Sequence, residues 1–355
     1  MFWLWAAAIL GCSIKYAEIY FGQSKKGGAM AYIREALGNV PARVYALLAA
    51  LSALLVGNMA QMNGAITALC GVIGPEASVL RAGLGLLFTL FLALQLEGGA
   101  GQIGRFCEKL IPLMTLGYVI TLGWVLIVFR ARLPEVFDRI LSEAFTLRAL
   151  AGGTGALATR QAMLWGFRRG AFSNEAGLGT AANIHAQSGT GRPGRDALWG
   201  IAEVLIDTVL LCTMTALTIL CSGAAIPYGT LPGPELLQMA LSSVYGIHEA
   251  YFMVAAALTL FGFSTVLGCY VSGAGCAKWL LGPSGAKAYR MLYLICAFLG
   301  ALIPVGLIWQ AADAVNVLLA APNLLALLLL APGLGKEKQG KKHCEPLTSK
   351  GKLIY

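Results

Sequence analysis

The chain has 355 residues, of which 58% are hydrophobic and only 12% charged, with a mean hydropathy of +0.73 and a net charge of +9. About a quarter of a soluble domain is charged, so composition excludes an ordinary soluble fold and indicates a polytopic helical membrane protein. The positive balance does not point to nucleic acid, because Lys and Arg load the cytoplasmic loops of membrane proteins.

Apolar runs long enough to span a bilayer fall roughly at 1–21, 44–72, 79–96, 110–129, 155–186 (interrupted), 198–222, 250–277, 289–308 and 311–332. That is about nine, an odd number, which puts the termini on opposite sides. Met1 leads straight into FWLWAAAIL with no basic n-region, so a secretory signal is not expected. One set of loops carries Lys25, Lys26, Arg34, Arg43, Arg105, Lys109, Arg192, Arg195, Lys278, Lys287, Arg290 and a basic tail after Pro332. The other set carries Arg81, Arg130, Arg132, Arg139 and Arg148. The first set is therefore read as cytoplasmic, with the N-terminus outside and the C-terminus inside. The segment 133–147, LPEVFDRILSEAFTL, reads as an amphipathic stretch at the interface. The loop 188–197, SGTGRPGRDA, is turn chemistry.

The first span carries Lys15 and Glu18, three apart on one helix face, which reads as a structural ion pair. The second carries Asn58, Gln61 and Asn63, amides that can hydrogen-bond a solute or fasten helices together. The fifth is different. Its GAFSNEAGLGTAANIH, residues 170–185, sets Ser173, Asn174 and Glu175 among Gly170, Gly177 and Gly179. Each glycine costs a helix about 1 kcal/mol relative to alanine. Broken backbone persists inside a membrane only where protein buries it or it lines a wet cavity. A small-residue packing contact would be served by GLGTAA alone and does not need Asn-Glu. The stretch therefore reads as a discontinuous helix facing a polar solute, as at the midplane sites of transporters. Arg160, Arg168, Arg169 and Glu175 read as mutually neutralising. Ser264-Thr265 can supply oxygens to a hard monovalent cation or bond back to their own helix carbonyls. Trp309, Asp313 and Asn316 open the last span, Trp309 as an interfacial anchor or a lid.

Enzyme chemistry finds no support. No HExxH, GxSxG, Cys/His cluster or phosphate loop occurs, and the nine cysteines are scattered without a CxxC. A channel is disfavoured because nothing repeats like a filter.

The sequence RRGAFSNEAGLGTAANIHA strongly resembles the signature of the alanine or glycine:cation symporters, the sodium:alanine symporter family. FWLWAAAILGCSIKYAEI, GNMAQMNGAI, RFCEKLIPLM, ALWGIAEVLIDTVLLCTMTAL and APNLLALLLL read like family segments in family order. The resemblance implies an all-α leucine-transporter-type inverted-repeat fold, in which two broken helices form the substrate and Na+ site. It places Gln61 and Asn63 in the helix flanking the substrate, and Phe172, Ser173, Asn174 and Gly177 at the broken sixth core helix. It matches Ser264 and Thr265 to the hydroxyls facing Na+, and Trp309 to the tryptophan that begins the last core helix. Gln310 departs from the acidic residue usual there.

Family members carry an extra N-terminal helix and a first core helix with a glycine-rich break, for which this chain shows no counterpart. On this reading residues 1–332 form a transmembrane transporter domain, with a partial first repeat over 1–130 and a second over 150–332. Residues 333–355 form a basic cytoplasmic tail. The expected function is Na+-coupled symport of alanine or glycine across the cell membrane, with Na+ as coupling ion, no other cofactor and no nucleic-acid partner. The truncation adds the expectation that the 355 residues alone do not transport; the alternative is a non-transporting membrane remnant or subunit.

Overall fold

A computed structural model describes residues 1–74, 78–144, 154–188, 190–226 and 233–333. Among the described residues every regular element is helical and none is a strand. The chain runs α1 (Phe2–Ser24), α2 (Gly28–Leu37), α3 (Asn39–Ile73), α4 (Ser78–Glu97), α5 (Gly99–Val128) and α6 (Leu133–Ala144). It continues through α7 (Thr154–Asn174), α8 (Thr180–His185), α9 (Pro193–Ser222), α10 (Glu235–Tyr245), α11 (Ile247–Leu302) and α12 (Val305–Leu330). Among the described residues seven helices are long and apolar enough to cross a membrane: α1, α3, α4, α5, α9, α11 and α12. This is a multi-pass membrane protein.

The differences from the expected spans have local causes. Residues 250–277 and 289–308 lie along α11, which is two helices joined at Gly282 (φ 70, ψ −164) immediately before Pro283. The second of them ends at Leu302, because Ile303 is extended ahead of Pro304, the conformation a residue before proline prefers. The interrupted span at 155–186 is α7 and α8, and it is not among the seven. Arg160, Arg168 and Arg169 lower its hydropathy. The stretch 133–144 is helical, with Val136 and Ala144 buried. Residues 145–147, Arg148 and the basic tail from 334 lie outside the described residues.

The helices form two groups. One gathers α11 with α3, α4, α5 and α10; the other gathers α1 with α7, α8 and α9. Helices α2 and α12 pack against one another and against α3. The main core joins both groups, with Phe21 of α1 and Ala182 of α8 packed among Tyr32, Tyr45, Met62 and Tyr293. Lipid is as apolar as leucine, so such contacts depend on close packing. At Gly22 of α1 an added Cβ would lie 2.8 Å from Ala182 Cβ of α8.

Two polar expectations in the spans resolve into helix fastening. Asn58 donates to Tyr293 O (2.7 Å), and Asn63 donates to Gly300 O (2.9 Å) and Ile303 O (2.8 Å). These two amides tie α3 to the second half of α11 and close its carbonyl end. Asn58 lies within the π-helical turn Leu55–Ala60, and the α-helix resumes at Gln61. The predicted ion pair between Lys15 and Glu18 is not formed. Lys15 donates to Asn174 O (2.9 Å) and meets Glu203 at 3.6 Å, while Glu18 turns to backbone amides.

Candidate functional site: the helix break at 174–180

Helix α7 ends at Asn174 and α8 starts at Thr180. Between them Glu175 (φ 51), Gly177 (φ 96) and Gly179 (φ 73) occupy the left-handed region. Glycine takes this conformation without steric penalty, whereas an L side chain resists it by about 1–2 kcal/mol. At Gly179 the space is also closed, since a Cβ would lie 2.9 Å from both Ala29 Cβ and Asn323 Oδ1.

One face of the break is held by a buried carboxylate. Glu18 Oε1 accepts from Gly177 N (2.9 Å), Gly179 N (2.9 Å) and Asn323 Nδ2 (2.6 Å). Asn323 of α12 also donates to Gly177 O (2.8 Å), and its Oδ1 accepts from the Tyr32 hydroxyl. Burial pushes the Tyr32 phenol well above its ordinary pKa, so it remains a donor. Tyr45 donates to Leu178 O (2.8 Å), and Asn183 Oδ1 accepts from Ala29 N (2.8 Å). The backbone groups that a break releases are thereby satisfied by three other helices.

The opposite face borders a narrow cavity of about 20 Å³. Its polar lining is Ser52, Glu175, Thr180, Ser272 and Asn316; Phe172, Val56, Gly57, Leu178 and Cys269 contribute apolar surface. Thr180 donates to Glu175 Oε2 (2.5 Å) and Ser52 to Asn316 Oδ1 (2.7 Å). Beside it Phe172 and Trp309 meet edge to face with centroids 4.9 Å apart, and the Arg169 guanidinium lies 5.8 Å from the Trp309 ring.

The structure divides the sequence-predicted site residues between these faces. Phe172 and Trp309 stand at the cavity. Gly177 belongs to the Glu18 side. Ser173 turns to α9, donating to Asp207 Oδ2 (2.5 Å) and lying 2.9 Å from Thr208 Oγ1. Asn174 is buried; its Oδ1 accepts from Ala176 N (2.9 Å), and its Nδ2 faces Gly11 of α1. Gln61 lies against Gly262, with a long bond to Val56 O (3.4 Å). Ser264 and Thr265 each donate to Phe261 O, at 2.8 and 2.9 Å.

The sequence singled out Glu18 only as an ion-pair partner and Asn316 only as a polar residue opening the last span, and it did not single out Asn323 or Ser272. It also paired Glu175 with the wrong groups. Arg168 and Arg169 stack on Trp165, and among the described residues no Lys or Arg lies within ion-pair distance of Glu175.

The break thus joins a buried carboxylate holding unwound backbone to a small polar cavity. The profile of the sodium:alanine symporter family matches residues 1–342. The chain belongs to the sodium:alanine symporter family. It is 32% identical over 347 residues, 93% of this chain and 74% of the other, to the sodium/alanine symporter AgcS of Methanococcus maripaludis. It is 31% identical over 341 residues (93% and 69%) to the probable sodium/glutamine symporter GlnT of Bacillus subtilis. It is 30% identical over 349 residues (94% and 72%) to the uncharacterized transporter YaaJ of Escherichia coli. The matched proteins are transporters rather than enzymes, and sodium is the coupling ion of the family.

Proposed function

We propose that the protein couples Na+ entry to the uptake of a small neutral amino acid, alanine or glycine, across the cell membrane. The observation that carries this reading is the clamped helix break with its narrow cavity beside the Phe172–Trp309 pair. Phe172 lines that cavity and Trp309 packs against its ring, a confined aromatic wall that favours a small side chain over a long one. Ser173, Asn174 and Gly177 serve the site by shaping the break, because their polar groups are largely engaged with α9, Lys15, Glu18 and Asn323; Gln61 stands on the flanking helix. Asn63 is assigned to helix packing, because its amide already donates twice to backbone. Na+ is assigned to Ser264 and Thr265, whose oxygens keep lone pairs while their protons bond Phe261 O.

The same reading takes the fold as leucine-transporter-type, with part of a first repeat over 1–130, a second over 150–332, and a cytoplasmic C-terminus. One Na+ crossing 100 mV supplies about 2.3 kcal/mol. That concentrates a neutral solute roughly fifty-fold, at 1.36 kcal/mol per decade.

The test is radiolabelled alanine uptake into proteoliposomes under an inward Na+ gradient, with glycine and glutamine as competitors. Uptake that needs Na+ and is suppressed by glycine but not by glutamine supports the reading. Suppression by glutamine at equal concentration would assign a larger substrate.

A further inference from the structure

The cavity on the open face of the break is too small for an amino acid as it stands. Its volume of about 20 Å³ accommodates one water-sized sphere, for which about 10–15 Å³ is needed. Its polar lining is rich in oxygens: the Glu175 carboxylate, the hydroxyls of Ser52, Thr180 and Ser272, and the side-chain carbonyl of Asn316. Such a set of hard donors suits a small hard cation.

Glu175 is the unusual member. Its backbone sits at φ 51, where glycine or asparagine would be less strained. If the turn were its only duty, a carboxylate would be a poor choice. Strain of this kind persists where the residue has a further role. Its Oε2 accepts from Thr180, which leaves Oε1 for another partner. No Lys or Arg side chain among the described residues reaches it. Lys15 is engaged with Asn174 O and Glu203, and the guanidinium of Arg169 stacks on Trp165 and Trp309. A carboxylate at membrane depth is costly unless it is paired or hydrated.

We propose that Glu175, with Thr180, Ser272 and Asn316, forms a binding site for a single Na+ in the cavity beside the helix break. It is separate from the site assigned to Ser264 and Thr265. Ser264 and Ser272 stand eight residues apart on α11, about 12 Å along the axis at 1.5 Å per residue. The ion neutralises Glu175, spans from α8 to α11 and α12, and thereby draws the three walls of the cavity together. The amino acid then enters beside a neutralised carboxylate, whose charge no longer repels that of the substrate. This proposal rests on the sodium-coupled reading above and adds a second cation to it.

The experiment is equilibrium binding of radioactive Na+ to the purified full chain, in a choline background without amino acid. At a concentration saturating the wild-type protein, Glu175→Gln binds one Na+ fewer per chain. Raising Na+ about tenfold or more recovers it, the loss expected from removing a charged partner. Asn316→Ala shifts the same component in the same direction by less, and it carries the test should Glu175→Gln fail to fold. Equal Na+ binding by wild type and both variants would overturn the proposal. So would unchanged Na+ binding with weakened alanine binding in Glu175→Gln, since the carboxylate would then be reading the substrate ammonium. A wild-type chain that binds no Na+ would overturn the sodium-coupled reading itself, and this inference with it.

Discussion

The two faces of the break at 174–180 are made of similar residues and arranged to opposite ends. Each has a carboxylate, an asparagine from α12 and hydroxyls. On the α1 side, Glu18 and Asn323 are fully buried and aimed at backbone. On the α3 side, Glu175 and Asn316 are only partly buried and border empty space. Buried polar networks rigidify when satisfied and are costly when they are not. On the first face Glu18 Oε1 carries all three bonds while the buried Oε2 has no hydrogen-bond partner among the described residues, so one oxygen fixes the shape of the unwound backbone; the second face keeps polar groups available. What separates structural from ligand-binding polarity in this bundle is where the partners lie, not which residue types are used.

The sharpest way to break this division is Glu18→Ala. It strips an acceptor from Gly177 N, Gly179 N and Asn323 Nδ2 at once. Each buried donor left unpaired costs about 1–3 kcal/mol, so the variant is expected to lose most folded protein in a thermal melt of the solubilised chain. Glu18→Gln keeps an oxygen and should recover part of the loss. A melt like wild type for Glu18→Ala would contradict the clamp.

Gly179→Ala comes next. The left-handed backbone costs an alanine about 1–2 kcal/mol, and the crowding by Tyr45, Ala29 and Asn323 adds overpacking of about 1–3 kcal/mol. A lowered melting temperature is expected, and full stability would mean that the backbone there is free to move. Phe172→Ala acts on the other face. Removing this cavity-lining ring should weaken alanine binding by up to about tenfold, about 1.4 kcal/mol, in calorimetry. Undiminished affinity would remove Phe172 from the substrate site.

The smallest effect belongs to Ser264→Ala with Thr265→Val. The Na+ concentration for half-maximal uptake should rise severalfold while alanine affinity at saturating Na+ stays close to wild type. Unchanged Na+ dependence would leave both hydroxyls as internal bonds to Phe261 O.

The break was legible in the sequence because charge and glycine stand out against hydrocarbon. Ser173, Asn174, Glu175 and the glycines at 177 and 179 have no business in a plain span. The clamp was not legible. Helical spacing puts Lys15 and Glu18 on one face, but it cannot show that a backbone amide 159 residues away outcompetes a lysine one turn back. Asn323 read as part of an apolar run for the same reason. The joint at Gly282-Pro283 and the stop at Pro304 were visible as residues, yet hydropathy alone smeared the boundary to 308. Asn58 and Asn63 carried two open readings, and the sequence could not show that their amides reach Tyr293 O and Gly300 O.

The separation of the two faces is tested most directly by measuring alanine affinity and melting temperature together for Phe172→Ala and Tyr45→Phe. Tyr45 donates to Leu178 O on the clamped face, whereas Phe172 borders the cavity. The account predicts a crossed result: Phe172→Ala loses affinity, with its melting temperature lowered only by the lost Trp309 contact, and Tyr45→Phe loses stability while the folded fraction binds alanine as wild type does. If the two variants lose affinity and stability in the same proportion, the faces are not separate and the account is contradicted.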